Sequence, residues 1–435
     1  MKKRILVGSV LGTALLGVVL AVSVGGAVAH RAAATPLPAS SCSGMQGTGD
    51  LLIASDLPLQ GAGRAQTVQM TKAIAYILGQ DGWKAGSHTL AYQSCDDSTA
   101  QAGKWDSGKC SANANAYAAD ASVVGVIGTF NSGCAEIEIP ILNRAPNGPL
   151  AMVSPANTYV GLTHGGPGTA AGEPNKYYPT GKRNYARVVA ADDFQGAADA
   201  TLAKQLGIKT LYILDDKEAY GLGVATDTKL AAVKLGIKVI GPVAWDAKAT
   251  SYEALALKIA KSGAQGVFLG GLICENGGKL IKDLRANAPK VKILAPDGFT
   301  PISADVQTSG GKAEGMTVSV AGLPVSQLPP AGKAFGKQFC ASAGAGCSGG
   351  EPDPYSVYAA AAAQVMVAAI AASDGTRASV ADQLFKVSVP TVLGTVKFNA
   401  NGDVTSNPVT IYKVKGGKST TYKVIVPKNS LVASA

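Results

Sequence analysis

Short β-branched runs alternate with helical stretches along this chain, and they do so in two successive series. The first predicts strands at Leu51–Ser55, Thr89–Gln93, Val123–Ile127 and Pro149–Val153, with helices from about Arg64 to Leu78, Ser111 to Ala119 and Ala135 to Leu142. The second opens near Tyr185. It predicts strands at Ala186–Ala190, Thr210–Leu214, Lys238–Ala244, Gly266–Gly270, Val291–Ala295 and Met316–Val320. The helices between them run from Asp192 to Leu206, Tyr220 to Leu235, Tyr252 to Lys261 and Glu275 to Asn287. Asp192 with Gln195 reads as a capping box, and Thr300-Pro301 as an N-cap and first helical position. Two βα series, each large enough for its own core, predict an α/β fold of two similar lobes with mainly parallel sheets.

The last third departs from this alternation. Pro330–Phe339 reads as a helix, and Asp353-Pro354 caps a long alanine-rich helix, Tyr355–Ala372, whose apolar surface requires burial against a lobe. A short helix near Val380–Phe385 follows. Gly394–Phe398, Val409–Val414 and Thr421–Val426 read as strands, with Lys415-Gly416-Gly417-Lys418 as a hairpin tip. His164 to Lys182, rich in Gly and Pro, reads as an irregular excursion.

The stretch Val123–Thr158 carries the clearest chemistry. Its loops Thr129–Gly133 and Ser154–Thr158 each follow a strand, so both open at the carboxyl edge of the sheet, where open α/β sheets bind ligands. A helix starting just after Ser132 offers unpaired N–H groups and a positive dipole end, which suits a carboxylate. Ordinary strand-to-helix turns are the competing reading.

The length of 435 residues predicts two or three domains. The net charge is +10, of which Lys2, Lys3 and Arg4 belong to a targeting segment, leaving +7. The remaining basic residues are scattered, read as solvated surface, and are not interleaved with aromatics. That argues against nucleic-acid binding. Residues 1–29 read as a signal peptide: a basic Met1–Arg4, an uncharged run from Ile5, and an A-x-A signature at Ala27–Ala29. Cleavage near Ala29 leaves an exported protein, periplasmic or at the cell surface. A retained anchor and lipidation at Cys42 are the alternatives. Residues 30–48 read as an Ala/Pro/Ser-rich linker, and no later segment is read as membrane-spanning.

Export permits disulfides among the seven cysteines. The spacing predicts Cys95–Cys110 and Cys340–Cys347, with Cys134 and Cys274 unbonded and Cys42 left over. Scattered histidines and the absence of a CxxC pair argue against zinc. GxGxxG-like stretches at Gly61 and Gly221 each lack the last glycine. The acid pairs Asp96-Asp97, Asp192-Asp193 and Asp215-Asp216 read as solvated turns. A secreted enzyme with Cys134 as nucleophile and His164 as base is the remaining catalytic reading.

Seven short motifs nevertheless stand in a familiar order: Ile53–Gly61, Gly128–Cys134, Met152–Thr158, Asp193–Gly196, Asp216–Gly223, Gly270-Gly271 and Pro296–Gly298. In order and spacing the chain resembles the branched-chain amino-acid-binding proteins of ABC importers, from about Asp50 to about Val426. The resemblance implies a type I periplasmic-binding fold: two Rossmann-like lobes joined by a three-crossing hinge. Lobe 1 would comprise 49–186 with 323–392, and lobe 2 would comprise 187–322 with 393–427. It implies a monomer that captures an amino acid or similar solute, delivers it to an ABC permease, and needs no cofactor and catalyses nothing. A sensor of the same fold is the alternative. By the same resemblance Ser132, Ala156 and Thr158 hold the ligand's carboxylate, with Gly133 and Asn157 beside them in the ligand-binding loops. Asp297 takes its ammonium group, and Tyr220, Leu272 and Tyr355 line the cleft. Asp297 stands where the leucine-type binders carry a longer Glu, and Leu272 where they often carry an aromatic.

Overall fold

The computed structural model describes Met1 and residues 32–433; the expected signal peptide and its cleavage point lie outside these residues. From Ala33 onward the chain forms the folded unit. In its first part three helices, α1 (Arg64–Gln80), α2 (Ser107–Ala119) and α3 (Ser132–Asn143), flank a sheet. That sheet runs in the order Gln46–Gly47, His88–Asp96, Leu51–Leu57, Val123–Gly128, Ala151–Ser154, Tyr185–Arg187. Pairing is parallel across the last five strands. The central strands are buried on both faces, as their continuous apolar runs require.

The second part contributes α4 (Asp192–Gln205), α5 (Ala219–Lys234), α6 (Glu253–Lys261), α7 (Gly278–Asn287) and α8 (Ile302–Thr308). Its sheet runs Lys238–Ala244, Thr210–Asp215, Gly266–Gly270, Lys292–Ala295, Thr317–Ala321, Val409–Lys415, Lys418–Ile425. The first five strands are parallel, and the last two form an antiparallel hairpin whose tip, Gly416-Gly417, has positive φ at both residues. Positive φ at both positions is what a two-residue hairpin demands and glycine permits.

Between Thr317–Ala321 and Val409–Lys415 the chain returns to the first sheet through α9 (Pro330–Ala341), α10 (Pro354–Ala371) and α11 (Arg377–Leu384). It therefore passes between the sheets three times: after Arg187, after Ala321 and after the small hairpin Val389–Thr391/Gly394–Val396. Helix α10 is long and apolar enough to cross a membrane by length and composition alone. It is instead mostly buried in the core with Met70, Ile74 and Ile127. Asp353 caps it, accepting from Tyr355 N at 3.0 Å.

Several local expectations are corrected. Asp192 opens α4 without a capping box: Ala191 is the N-cap, and Gln195 is drawn to Ser319, donating to its carbonyl and hydroxyl. Helix α8 starts one residue later than expected, with Pro301 at the cap, because the Thr300 hydroxyl turns to Asp297 O and Gln66 Oε1. The acid pairs are not solvated turns. Asp97, Asp192, Asp193, Asp215 and Asp216 are buried, and Asp216 accepts from the backbone of Glu218 and Leu272. Two basic residues, Arg187 and Arg377, are buried as well.

The cysteines pair as Cys42–Cys95, Cys110–Cys134 and Cys340–Cys347, leaving Cys274 free. Cys340–Cys347 matches expectation; Cys95–Cys110 does not. The segment before Gly49 is packed, not a free linker. It lies antiparallel to His88–Asp96, with Ser43 N donating to Ser94 O and Asp96 N to Ser41 O, both at 2.8 Å. That pairing sets Cys42 beside Cys95, and the thiol is not available for a lipid. Cys110 and Cys134 sit on the first turns of the adjacent helices α2 and α3, which brings them together. Cys134 is thus neither unbonded nor a nucleophile, and the enzyme reading that required it is overturned. Its expected base, His164, is instead hydrogen-bonded to Asp403 and Asp193.

Candidate functional site

The strand Val123–Gly128 ends in the loop Thr129–Asn131, and α3 begins at Ser132. The neighbouring strand ends at Ser154 and enters the second loop. The two loops are laced together. Ser154 Oγ donates to Thr129 O at 3.0 Å and accepts from the backbone N–H groups of Ala156 (3.1 Å) and Asn157 (2.8 Å). Asn157 Nδ2 donates to Phe130 O at 3.0 Å. Ser132 Oγ accepts from Tyr159 N at 3.3 Å, which leaves the serine proton to donate elsewhere. The first N–H groups of α3, at Ser132 and Gly133, have no intrahelical acceptor. Gly133 is a steric requirement: a Cβ there would lie 2.5 Å from Cζ2 of Trp105, whose ring covers this helix start.

On the facing lobe, Asp297 follows the strand Lys292–Ala295 in a single 3₁₀ turn. Its Oδ1 accepts from the Tyr220 hydroxyl at 2.7 Å, and Oδ2 accepts a short bond from the Tyr355 hydroxyl. Tyr220 Oη in turn accepts from Gly298 N at 2.9 Å. Tyr355 belongs to α10 and packs edge-on against Phe130, so the Tyr355–Asp297 bond joins the two lobes. Burial raises the Asp297 carboxyl above its ordinary range, opposed by the bonds from Tyr355 and Tyr220. Asp192, fully buried at the start of α4, is pushed well above its range by burial and next by the charge of Asp297.

These walls enclose one cavity lined by Ser132, Gly133, Ala156 and Thr158 on one side and by Tyr220, Leu272, Asp297 and Gly298 on the other, with Trp105, Phe130, Asn131 and Glu218 between them. It is narrow: about 20 Å³ is open to the centres of water molecules, enough for about one water. The lobes therefore stand close together. A second clasp holds them: Lys104 Nζ donates to Glu218 Oε1 at 3.1 Å and makes a short ion pair with Glu275.

Seven of the nine residues expected at the site thus line one cavity: Ser132, Gly133, Ala156, Thr158, Tyr220, Leu272 and Asp297. Tyr355 stands behind Asp297 as its hydrogen-bond donor. Asn157 does not line the cavity. Its side chain is spent on Thr129, Phe130 and Tyr185, where it fixes the loops. Sequence reasoning missed Trp105, Phe130, Asn131, Glu218 and Gly298. Phe130, Asn131, Glu218 and Gly298 lie inside the quoted motifs and were within reach; Trp105 carries no local signal and arrives through the short ribbon Ser98–Thr99/Lys104–Trp105.

One wall offers hydroxyls and helix-start amides to an anion; the other offers a carboxylate backed by two phenols. A cavity completed only where two hinged α/β lobes meet is the architecture of a bilobed solute-binding protein. The chain belongs to the periplasmic binding protein family, whose model matches residues 101–419, and its two mostly parallel lobes are those of the type I fold. It is similar to an amino acid binding protein of Pseudomonas aeruginosa, 29% identical over 52% of this chain and 59% of that relative. It is also similar to Leu/Ile/Val-binding protein homolog 2 of Brucella abortus, 27% identical over 86% of this chain and 92% of that one. Among solved structures, a leucine binding protein from Thermotoga maritima superposes with a TM-score of 0.73 at 22% identity, covering 87% of this chain and 99% of that chain. A solute binding protein of an R. palustris ABC transporter in complex with benzoate gives 0.69 at 19% identity, covering 87% and 97%. Membership in this family implies an exported protein with a small-molecule ligand.

Proposed function

We propose that this chain is the extracytoplasmic solute-binding protein of an ABC importer and captures a small α-amino acid between its lobes. The observation that carries the reading is the opposition of Ser132 and Thr158 to Asp297 across one cavity. The hydroxyls and the α3 amides suit an α-carboxylate, and Asp297 suits an α-ammonium. Both bonds strengthen when closure excludes water. The proposed boundaries are lobe 1 over 49–186 with 323–392 and lobe 2 over 187–322 with 393–427. The proposed processing is cleavage near Ala29, and the proposed working form is a monomer that docks on a membrane permease.

A second reading, an aromatic carboxylate, is favoured by one observation: both Asp297 oxygens are already satisfied by tyrosine hydroxyls, so no ammonium is needed there. Calorimetric titration of the parent and Asp297→Asn with an amino acid and its des-amino analogue separates the two. An amino-acid binder loses affinity for the amino acid alone. An aromatic-acid binder shows no such difference.

A further inference from the structure

One polar group on the cavity wall is left over by every bond described so far. The indole Nε1 of Trp105 is closed off from solvent and has no hydrogen-bond partner; it is the only buried side-chain N–H without one among the described residues. A buried donor left unpaired is costly, and in native structures it points to a missing partner. Trp105 lines the ligand cavity, and its ring rests against Gly133 at the start of α3. A carboxylate lines the same cavity from the facing lobe. Lys104, the preceding residue, holds Glu218 of the facing lobe at 3.1 Å, and Glu218 also lines the cavity.

We propose that the solute carries a carboxamide on its side chain, whose oxygen accepts from Trp105 Nε1 and whose amino group donates to the Glu218 carboxylate. The inference rests on the α-amino-acid reading above and narrows it from amino acids in general to those of the asparagine and glutamine kind. The other side-chain classes match this wall less well. An aliphatic chain leaves the indole N–H unpaired in a dry site. A carboxylate satisfies the indole but places a like charge beside Glu218. An ammonium satisfies Glu218 and offers the indole nothing to donate to. A group that both accepts and donates serves both, and a carboxamide does so at adjacent atoms, reaching further than a hydroxyl that must use a single oxygen.

Asparagine and leucine have nearly the same side-chain shape, so comparing them isolates polarity from size. Isothermal titration of the full chain with L-asparagine, L-glutamine and L-leucine, for the parent and Trp105→Phe, tests the proposal. The phenyl ring keeps an aromatic wall and removes the N–H. The expected result is that one of the two amides binds the parent at least about tenfold more tightly than leucine. In Trp105→Phe that ratio should shrink to within about threefold of unity, with leucine little changed. If leucine binds the parent as tightly as both amides, the proposal is overturned while the amino-acid reading stands. If Trp105→Phe weakens all three alike, the indole serves the common α-carboxylate and the proposal is again overturned. If none of the three binds, the proposal is overturned, and the Asp297→Asn titration above decides the amino-acid reading separately. Should the variant fail to fold, shown by a lost melting transition, the ratio measured on the parent decides alone.

Discussion

Arg187 and Asp403 form a buried ion pair, Nε donating to Oδ1 at 2.8 Å, at the point where two of the three hinge crossings meet. Arg187 has no exposed surface, and three of its four remaining N–H donors are used. Nη1 donates to the carbonyls of Asn157 and Tyr159, and Nη2 makes a short bond to the Thr163 hydroxyl. One side chain thereby ties the loop that carries Thr158 to the returning hinge segment between Val396 and Val409. Burial alone would raise the Asp403 carboxyl, but Arg187 and then His164 hold it far below its ordinary value.

Replacing Arg187 with Met should cost about 3–5 kcal/mol of folding stability, because it strands a buried carboxylate and two carbonyls. Adding Asp403→Asn should restore part of that loss by removing the stranded charge. Urea denaturation of the single and double variants measures both. A single-variant loss under 1 kcal/mol would show that water reaches the pair freely.

His164 gives the same junction a pH dependence. Burial lowers its affinity for a proton, but the hydrogen bonds it donates to Asp193 and Asp403 outweigh this and raise its pKa to about 9. A raised folded-state value means that the protonated ring stabilises the fold fully below about pH 6.5, its unfolded value, and that this contribution disappears as pH rises through about 9. The stability difference between the parent and His164→Asn should therefore shrink steadily from pH 6.5 to 9. Melting temperatures across that range check it, and a difference independent of pH would refute the charged-histidine account.

Lys104 closes the cleft from the outside by pairing with Glu218 and Glu275. It is partly exposed, so the pair contributes at most about 1 kcal/mol. Lys104→Met should accelerate release of bound solute by up to about fivefold and leave capture by the open form nearly unchanged. Stopped-flow measurement of both rates distinguishes this from a loss of direct contact.

For the anion seat, Ser132→Ala and Thr158→Ala should each weaken solute binding by about 1.5–3 kcal/mol through loss of a charge-assisted hydrogen bond. Folding stability should change as well, through the bonds of Ser132 Oγ to Tyr159 N and of Thr158 to Asp192, but by less than the affinity, since neither bond carries a full charge pair. Titration calorimetry paired with melting curves tests this. Unchanged affinity in both variants would move the carboxylate elsewhere.

The disulfide pattern predicts a single thiol. Denatured, unreduced protein should react with one equivalent of thiol reagent, at Cys274. Burial raises the Cys274 thiol above its usual range, so native protein should react slowly. Peptide mapping without reduction should recover Cys42–Cys95 and Cys110–Cys134.

What the chain determined by itself is the local and periodic part of this protein. Alternating strands and helices, with apolar runs long enough for doubly covered strands, dictate two α/β lobes. Strand-end loops rich in small polar residues place Ser132 and Thr158 at a ligand-facing edge, since the carboxyl ends of parallel strands open there. The Lys415–Lys418 tip and the Asp353-Pro354 cap were likewise readable, because each depends on neighbours within four residues. Tertiary structure alone decided what depends on distant neighbours. Cys42 meets Cys95 because a segment read as a linker pairs with a strand some fifty residues on. Asn157, alike in sequence to its neighbours, faces Tyr185 and Phe130 instead of the cavity. Trp105 reaches the cavity from a short ribbon with no motif, and Asp97, Asp192 and Arg187 are buried although charged residues usually stay in water. In each case the deciding energy is the desolvation or pairing of a group whose partner lies far along the chain, and no local pattern records that partner.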